Sequence, residues 1–124
     1  MGASSKNFSE NEFKCKCCGQ NKMRQETVNR LQQLRDAYGK SITITSGYRC
    51  PAHNLAVAKT GSSGPHTTGQ AIDISIQGAD AYQVLKLALQ LGFTGIGVAQ
   101  KGTGRYLHLD DLTVGFPRPT IWSY

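Results

Sequence analysis

Residue patterning along the chain predicts an α+β domain, a small antiparallel or mixed sheet packed with helices. Three observations carry this. Apolar and polar residues alternate in SITITSGY, QAIDISI and RYLHLDDL; apolar residues recur at helical spacing in residues 23–38 and 79–92; and these segments follow one another without a regular βαβ repeat. The 124 residues suit one domain, long enough to bury a core without covalent staples. We expect that domain over residues 8–124, with residues 1–7 as a disordered N-terminal segment.

Each element has a local reason. In FSENEF, Ser9 and Glu12 have capping-box spacing, and Phe8 and Phe13 can form a hydrophobic staple, so a short helix begins there and stops by Gly19. From Met23, residues Val28, Leu31, Leu34 and Tyr38 line one helical face, and Gly39 ends it. SITITSGY is a strand with Ile42 and Ile44 on one face. Pro51 can open a short helix in PAHNLAVAK, and TGSSGP is a loop. QAIDISI is a strand, ADAYQVLKLALQLG an amphipathic helix closed by Gly92, and GIGVAQ and RYLHLDDL are strands joined by the turn KGTG. Ile121, Trp122 and Tyr124 of the tail are expected to pack back onto the sheet.

The formal net charge of +6 admits an anionic partner, a wall polymer or membrane surface as readily as nucleic acid. The basic residues are scattered rather than gathered into a run, which argues against a nucleic-acid arm. No stretch approaches the roughly 20 apolar residues of a membrane span. MGASSKNFSENEF has no apolar core of a signal peptide, so the expectation is that the chain acts where it is made or is released by other means. Cysteines stand at 15, 17, 18 and 50. They do not form the paired C-x-x-C motifs of a zinc ribbon. A disulfide from CKCC to Cys50 and buried reduced thiols both remain open, with a metal on four thiolates as a third possibility.

Chemistry concentrates in the strands. Alternation puts Ile72, Ile74 and Ile76 on one face of QAIDISI and Asp73 on the other. In RYLHLDDL it puts Leu107 and Leu109 inward, with Tyr106, His108 and Asp110 outward. If the two strands share a sheet, Asp73 and His108 face one spot, and His66 on the preceding loop can fold over it. A carboxylate set between isoleucines needs hydrogen-bond donors, an opposite charge or a metal. Two imidazoles and one carboxylate form a three-ligand zinc set with a fourth position for water. The plainer alternatives are a loop histidine and a solvated strand aspartate.

TSGYRCPAHN, GPHTTGQAIDI, YLHLDD and RPTIWSY resemble, in that order, the signature blocks of the zinc D-alanyl-D-alanine carboxypeptidase family. That family includes peptidoglycan DD- and LD-endopeptidases, phage endolysins and vancomycin-resistance dipeptidases, and shares its fold with the Hedgehog signalling domain. The resemblance runs from about Phe8 to Tyr124. It implies one zinc ion held by His66, Asp73 and His108, Arg49 as the arginine that binds substrate and stabilises an oxyanion, and Gly69 as a motif glycine. Many members carry a carboxylate three residues before the distal histidine as general base, or a histidine two before it; here Arg105 and Tyr106 stand there. Gly64 also replaces a common serine. HLD is similar to a branch with His-x-Asp, which makes Asp110 the candidate base or a carboxylate supporting a ligand, with Asp111 next in line. His53 and Asn54 are read as structural, the latter as a helix cap, and Tyr48 and Trp122 as packing residues.

The resemblance implies a monomeric zinc peptidase cutting D-amino-acid-containing stem peptides or cross-links of peptidoglycan. Its rival is a zinc-bearing but inactive wall-binding or virion structural module. Nucleic-acid binding would rest on charge alone.

Overall fold

The computed structural model describes residues 2–124. A single 3-10 turn at Glu10–Phe13 precedes α1 (Gln25–Tyr38), β1 (Thr43–Ser46), α2 (Pro51–Val57), a second 3-10 turn at Pro65–Thr68, β2 (Ala71–Ser75), α3 (Gly78–Gln90), β3 (Gly95–Ala99), β4 (Tyr106–Asp110) and β5 (Thr120–Ser123). The five strands form one mixed sheet in the order β1-β2-β4-β3-β5. All neighbours are antiparallel except β3 and β5, which run parallel.

The α+β expectation holds, with two differences at the ends of the chain. Residues 2–7, expected to be disordered, are engaged: Ala3 is buried, Ser5 and Phe8 exchange backbone hydrogen bonds, and Asn21 Nδ2 donates to the Ala3 carbonyl at 3.0 Å. Met1 lies outside the described residues. The tail does not simply fold back on the sheet. It supplies β5 as an edge strand, with Ile121 and Tyr124 largely exposed. The first turn follows its local signals, since Glu12 accepts the Ser9 N–H at 2.6 Å and the Phe8 and Phe13 rings lie 6.0 Å apart.

The period-2 pattern divides the sheet chemically. Ile72 and Ile74 of β2, Ile96 of β3 and Leu107 and Leu109 of β4 join Val28, Leu31 and Leu34 of α1 and Ala81, Val84 and Ala88 of α3 in one buried cluster. The amphipathic spacing of the two long helices is thus satisfied by one face of the sheet. The opposite face carries Asp73, His108 and Asp110, all buried as well. Register sets them side by side: Asp73 pairs with His108 across β2 and β4, and His108 pairs with Gly97 across β4 and β3.

Gly97 and Gly95 make this second face possible. A Cβ on Gly97 would stand 2.7 Å from Trp122 Nε1 and 2.9 Å from the His108 Cβ, and one on Gly95 would run into the Asp110 carboxylate and Arg118. The strand gives up two side chains so that larger groups from β4 and β5 can close over it. Gly97→Ala should therefore destabilise the protein by about 1–3 kcal/mol and shift the emission of Trp122, the chain's single tryptophan. Denaturant melts followed by fluorescence read both quantities, and an unchanged midpoint with unchanged emission would contradict this packing.

Candidate metal centre

His66, Asp73 and His108 converge. Each offers one ligand atom, these atoms lie within 4.8 Å of one another, and all three residues are buried. Asp73 sits mid-strand between Ile72 and Ile74, only 7% exposed. Its Oδ1 lies 3.3 Å from His66 Nε2 and 3.2 Å from His108 Nδ1, and its Oδ2 lies 3.4 Å from the Arg49 guanidinium. Donors held about 2.0–2.1 Å from a tetrahedral zinc ion stand about 3.3 Å apart. The spacing around Asp73 Oδ1 matches that edge length, so this set could hold zinc.

Hydrogen bonds behind the imidazoles select the tautomers that ligation requires. His66 Nδ1 lies 2.8 Å from the Gly47 carbonyl, which can only accept, so Nδ1 carries a proton and Nε2 is the nitrogen that faces Asp73 and could ligate. His108 Nε2 lies 2.7 Å from Asp110 Oδ2. A proton shared there leaves Nδ1 as the face toward the cluster. Electrostatics agree with a site built for positive charge. Burial alone would raise the Asp73 carboxyl, yet His108 and His66 hold it well below the usual carboxylate range. Burial would lower His108, yet Asp110 and Asp73 push it above the ordinary histidine value.

Asp110 requires a correction. As a general base it would have to meet a water in the cleft, but it is 0% exposed and stands behind the His108 ring. Arg118 occupies the rest of it, with Nε donating to Oδ1 at 2.9 Å and Nη2 to Oδ2 at 2.8 Å. Burial would raise Asp110, while His108 and then Arg118 hold it below the usual carboxylate range. Asp110 is placed to orient His108. Asp111 is also committed elsewhere, accepting from Thr27 Oγ1, Arg30 Nε and Gln70 Nε2, which ties α1 to the end of β4.

The ligand cluster forms the floor of a cleft of about 620 Å³ whose lining includes Arg49, Asn54, Tyr106, Trp122 and Tyr124. Arg49 projects from the segment after β1 and is held by Ser46 Oγ, Asn54 Oδ1 and Asp73 Oδ2. Asn54 is buried, but not as a helix cap: its amide donates to Thr60 Oγ1 and the Gly61 carbonyl, so it ties the cleft's loop to Arg49. Trp122 is more than packing, since it lines the cleft and lies against His108 with tilted rings and centroids 5.0 Å apart. Sequence reasoning gave Arg118 no role, although it opens the RPTIWSY block. The available signal was the carboxylate it serves, a buried Asp110 in need of a counter-charge.

A buried His-Asp-His set lies at the floor of a cleft, with an arginine beside it and both imidazoles oriented from behind, an arrangement suited to holding a metal ion. The chain matches the family model described as Peptidase M15 over residues 6–110. It belongs to that family, whose members are zinc-dependent peptidases. The match ends at Asp110, so Arg118 and β5 lie beyond it. No curated protein matches the chain.

Replacing Arg118 with Met should leave Asp110 buried with only His108 as a counter-charge. Breaking a buried pair of this kind costs about 3–5 kcal/mol. Equilibrium denaturation measures the loss, and a midpoint equal to that of the unmodified protein would show that the clamp is not needed to hold Asp110 in place.

Proposed function

We propose that the protein is a zinc metallopeptidase that hydrolyses D-amino-acid-containing stem peptides or cross-links of peptidoglycan. The observation that carries this reading is the convergence of His66 Nε2, Asp73 and His108 Nδ1 at the floor of the cleft; family membership supports it. These three side chains would hold the ion. When bound, zinc supplies Lewis acidity toward a carbonyl oxygen and makes water acidic enough to attack near neutral pH.

The remaining work falls to the chain's own groups. Arg49 presents a guanidinium next to the ligand cluster, suited to a developing oxyanion or to a substrate carboxylate, which it can bond bidentately. Tyr106 and Tyr124 are kept protonated, first by burial and then by the negative charge of Asp73, so each can donate a hydrogen bond to a peptide in the cleft. Asp110, clamped by Arg118, keeps the His108 ring in one orientation. The net positive charge of the chain suits a polyanionic wall. A monomer acting at the wall, after release from the cytoplasm or as part of a virion, accords with this reading.

One observation favours a rival. Asp73 is the only carboxylate side chain lining the cleft among the described residues, so no second acidic side chain stands beside it as a general base. A zinc-bearing module that binds the wall without cutting it would look the same. Purified muropeptides incubated with zinc-loaded protein separate the two: the enzyme releases new amine and carboxylate ends, and His66→Ala loses the zinc of the cleft and this release. Zinc and wall binding without new ends would establish the inert module. Equal zinc content in His66→Ala would remove the ligand assignment itself.

Arg49→Ala should keep its zinc and lower kcat by about 10²–10³, the usual effect of removing an oxyanion donor. Steady-state kinetics with metal analysis on the same samples tests this. Loss of the metal together with activity would instead make Arg49 a structural partner of Asp73.

A further inference from the structure

A second group of potential metal ligands lies apart from the cleft floor. Cys15, Cys18 and Cys50 offer sulfurs within 4.8 Å of one another. The local chain is folded to bring them there. After the first 3-10 turn the backbone reverses, with Cys15 N–H donating to the Gln20 carbonyl at 2.8 Å and Gly19 N–H to the Cys15 carbonyl at 2.9 Å. Gly19 takes a left-handed φ of 72° at that reversal. Cys15 and Cys18 thus form one C-x-x-C half-site closed by a glycine turn, and Cys50 arrives from the segment before α2 to complete it. The sequence contains only one such half-site, and the fold, not the spacing, supplies the other side.

Cys15 is tied directly to the Cys50 segment. Its Sγ is buried and accepts the Cys50 N–H at 3.3 Å. Thiols packed this closely repel one another as thiolates, and a dication at their centre removes that repulsion. Lys14 and Lys16 flank Cys15 in the sequence and offset the net negative charge of a thiolate-bound dication.

We infer that Cys15, Cys18 and Cys50 bind a second, structural zinc ion. Around zinc, with Zn–S near 2.3 Å, tetrahedral sulfurs stand about 3.8 Å apart, inside the 4.8 Å limit within which these three sulfurs lie. Ligation replaces the thiol protons with the ion and needs no oxidant. The site staples the loop after the first turn to the Gly47–Cys50 segment. That segment carries the carbonyl that orients His66, the Arg49 side chain, and the Arg49 N–H that donates to the His66 carbonyl at 3.2 Å.

The test uses the full chain purified under reducing conditions without chelators. Elemental analysis should find two zinc ions per chain, falling to one in Cys18→Ser, which alters an exposed residue. The same fall to one is expected in His66→Ala. Cobalt added to metal-stripped protein should give sulfur-to-cobalt charge-transfer absorption in the near ultraviolet, lost in Cys18→Ser and retained in His66→Ala. That pattern separates the thiolate site from the His-Asp-His site whatever the fate of either. A thiol reagent titrating all four cysteines of the native, zinc-loaded protein, or a disulfide in that protein by mass spectrometry, would overturn the inference. So would cobalt absorption that lacks a sulfur band in the unmodified chain.

Discussion

Asp73 is a carboxylate in the middle of a buried strand, and the architecture of one face of the sheet answers to it. An isolated ionised carboxylate is expensive to bury, so the fold supplies three nitrogen groups from three separate places: His66 from the turn before β2, His108 from β4 and Arg49 from the segment after β1. Each of these is held in turn. The Gly47 carbonyl fixes His66, Asp110 fixes His108, Asn54 and Ser46 fix Arg49, and Arg118 fixes Asp110. A network in which every member has a partner is rigid as well as costly to disrupt. Such rigidity is what a metal ligand set requires.

The apolar face and the polar face of the sheet depend on each other. The isoleucines and leucines that α1 and α3 cover fix the pairing of β2 with β4, because a slip of one residue would turn Asp73 and His108 into the core. Conversely, the polar face stays compact only because β3 offers glycines where Trp122 and the Asp110–Arg118 pair need room. Mutations that look like simple core changes in β2 or β4 therefore reach the site through strand register.

Much of this was legible in the residues. Alternation alone put Asp73 and His108 on one face and the leucines on the other, and the observed register sets the two residues directly opposite. The long helices follow their apolar spacing closely, and Gly39 ends α1 in the expected left-handed conformation. What was not legible depends on contacts distant in sequence. Alternation could place Asp110 on the face of His108, but not reveal that the His108 ring and Arg118 would seal it from solvent. Arg118 lies between two prolines in a segment with no periodicity to read. The cysteines were equally opaque, since one C-x-x-C has no meaning until Cys50 is brought beside it. The N-terminal residues have little apolar content, and their order comes from polar contacts with Asn21, Gln25 and Gln32.

The central claim is that the buried carboxylate exists to hold zinc together with two oriented imidazoles. Crystals of zinc-loaded protein, with anomalous data collected on both sides of the zinc edge, test it directly. The account predicts an anomalous peak at bonding distance from His66 Nε2, an Asp73 oxygen and His108 Nδ1, at about 2.0–2.1 Å from each nitrogen, with Asp110 still on His108 Nε2. A zinc-loaded crystal with no peak between these three side chains, or with His108 turned to bind through Nε2, would contradict it.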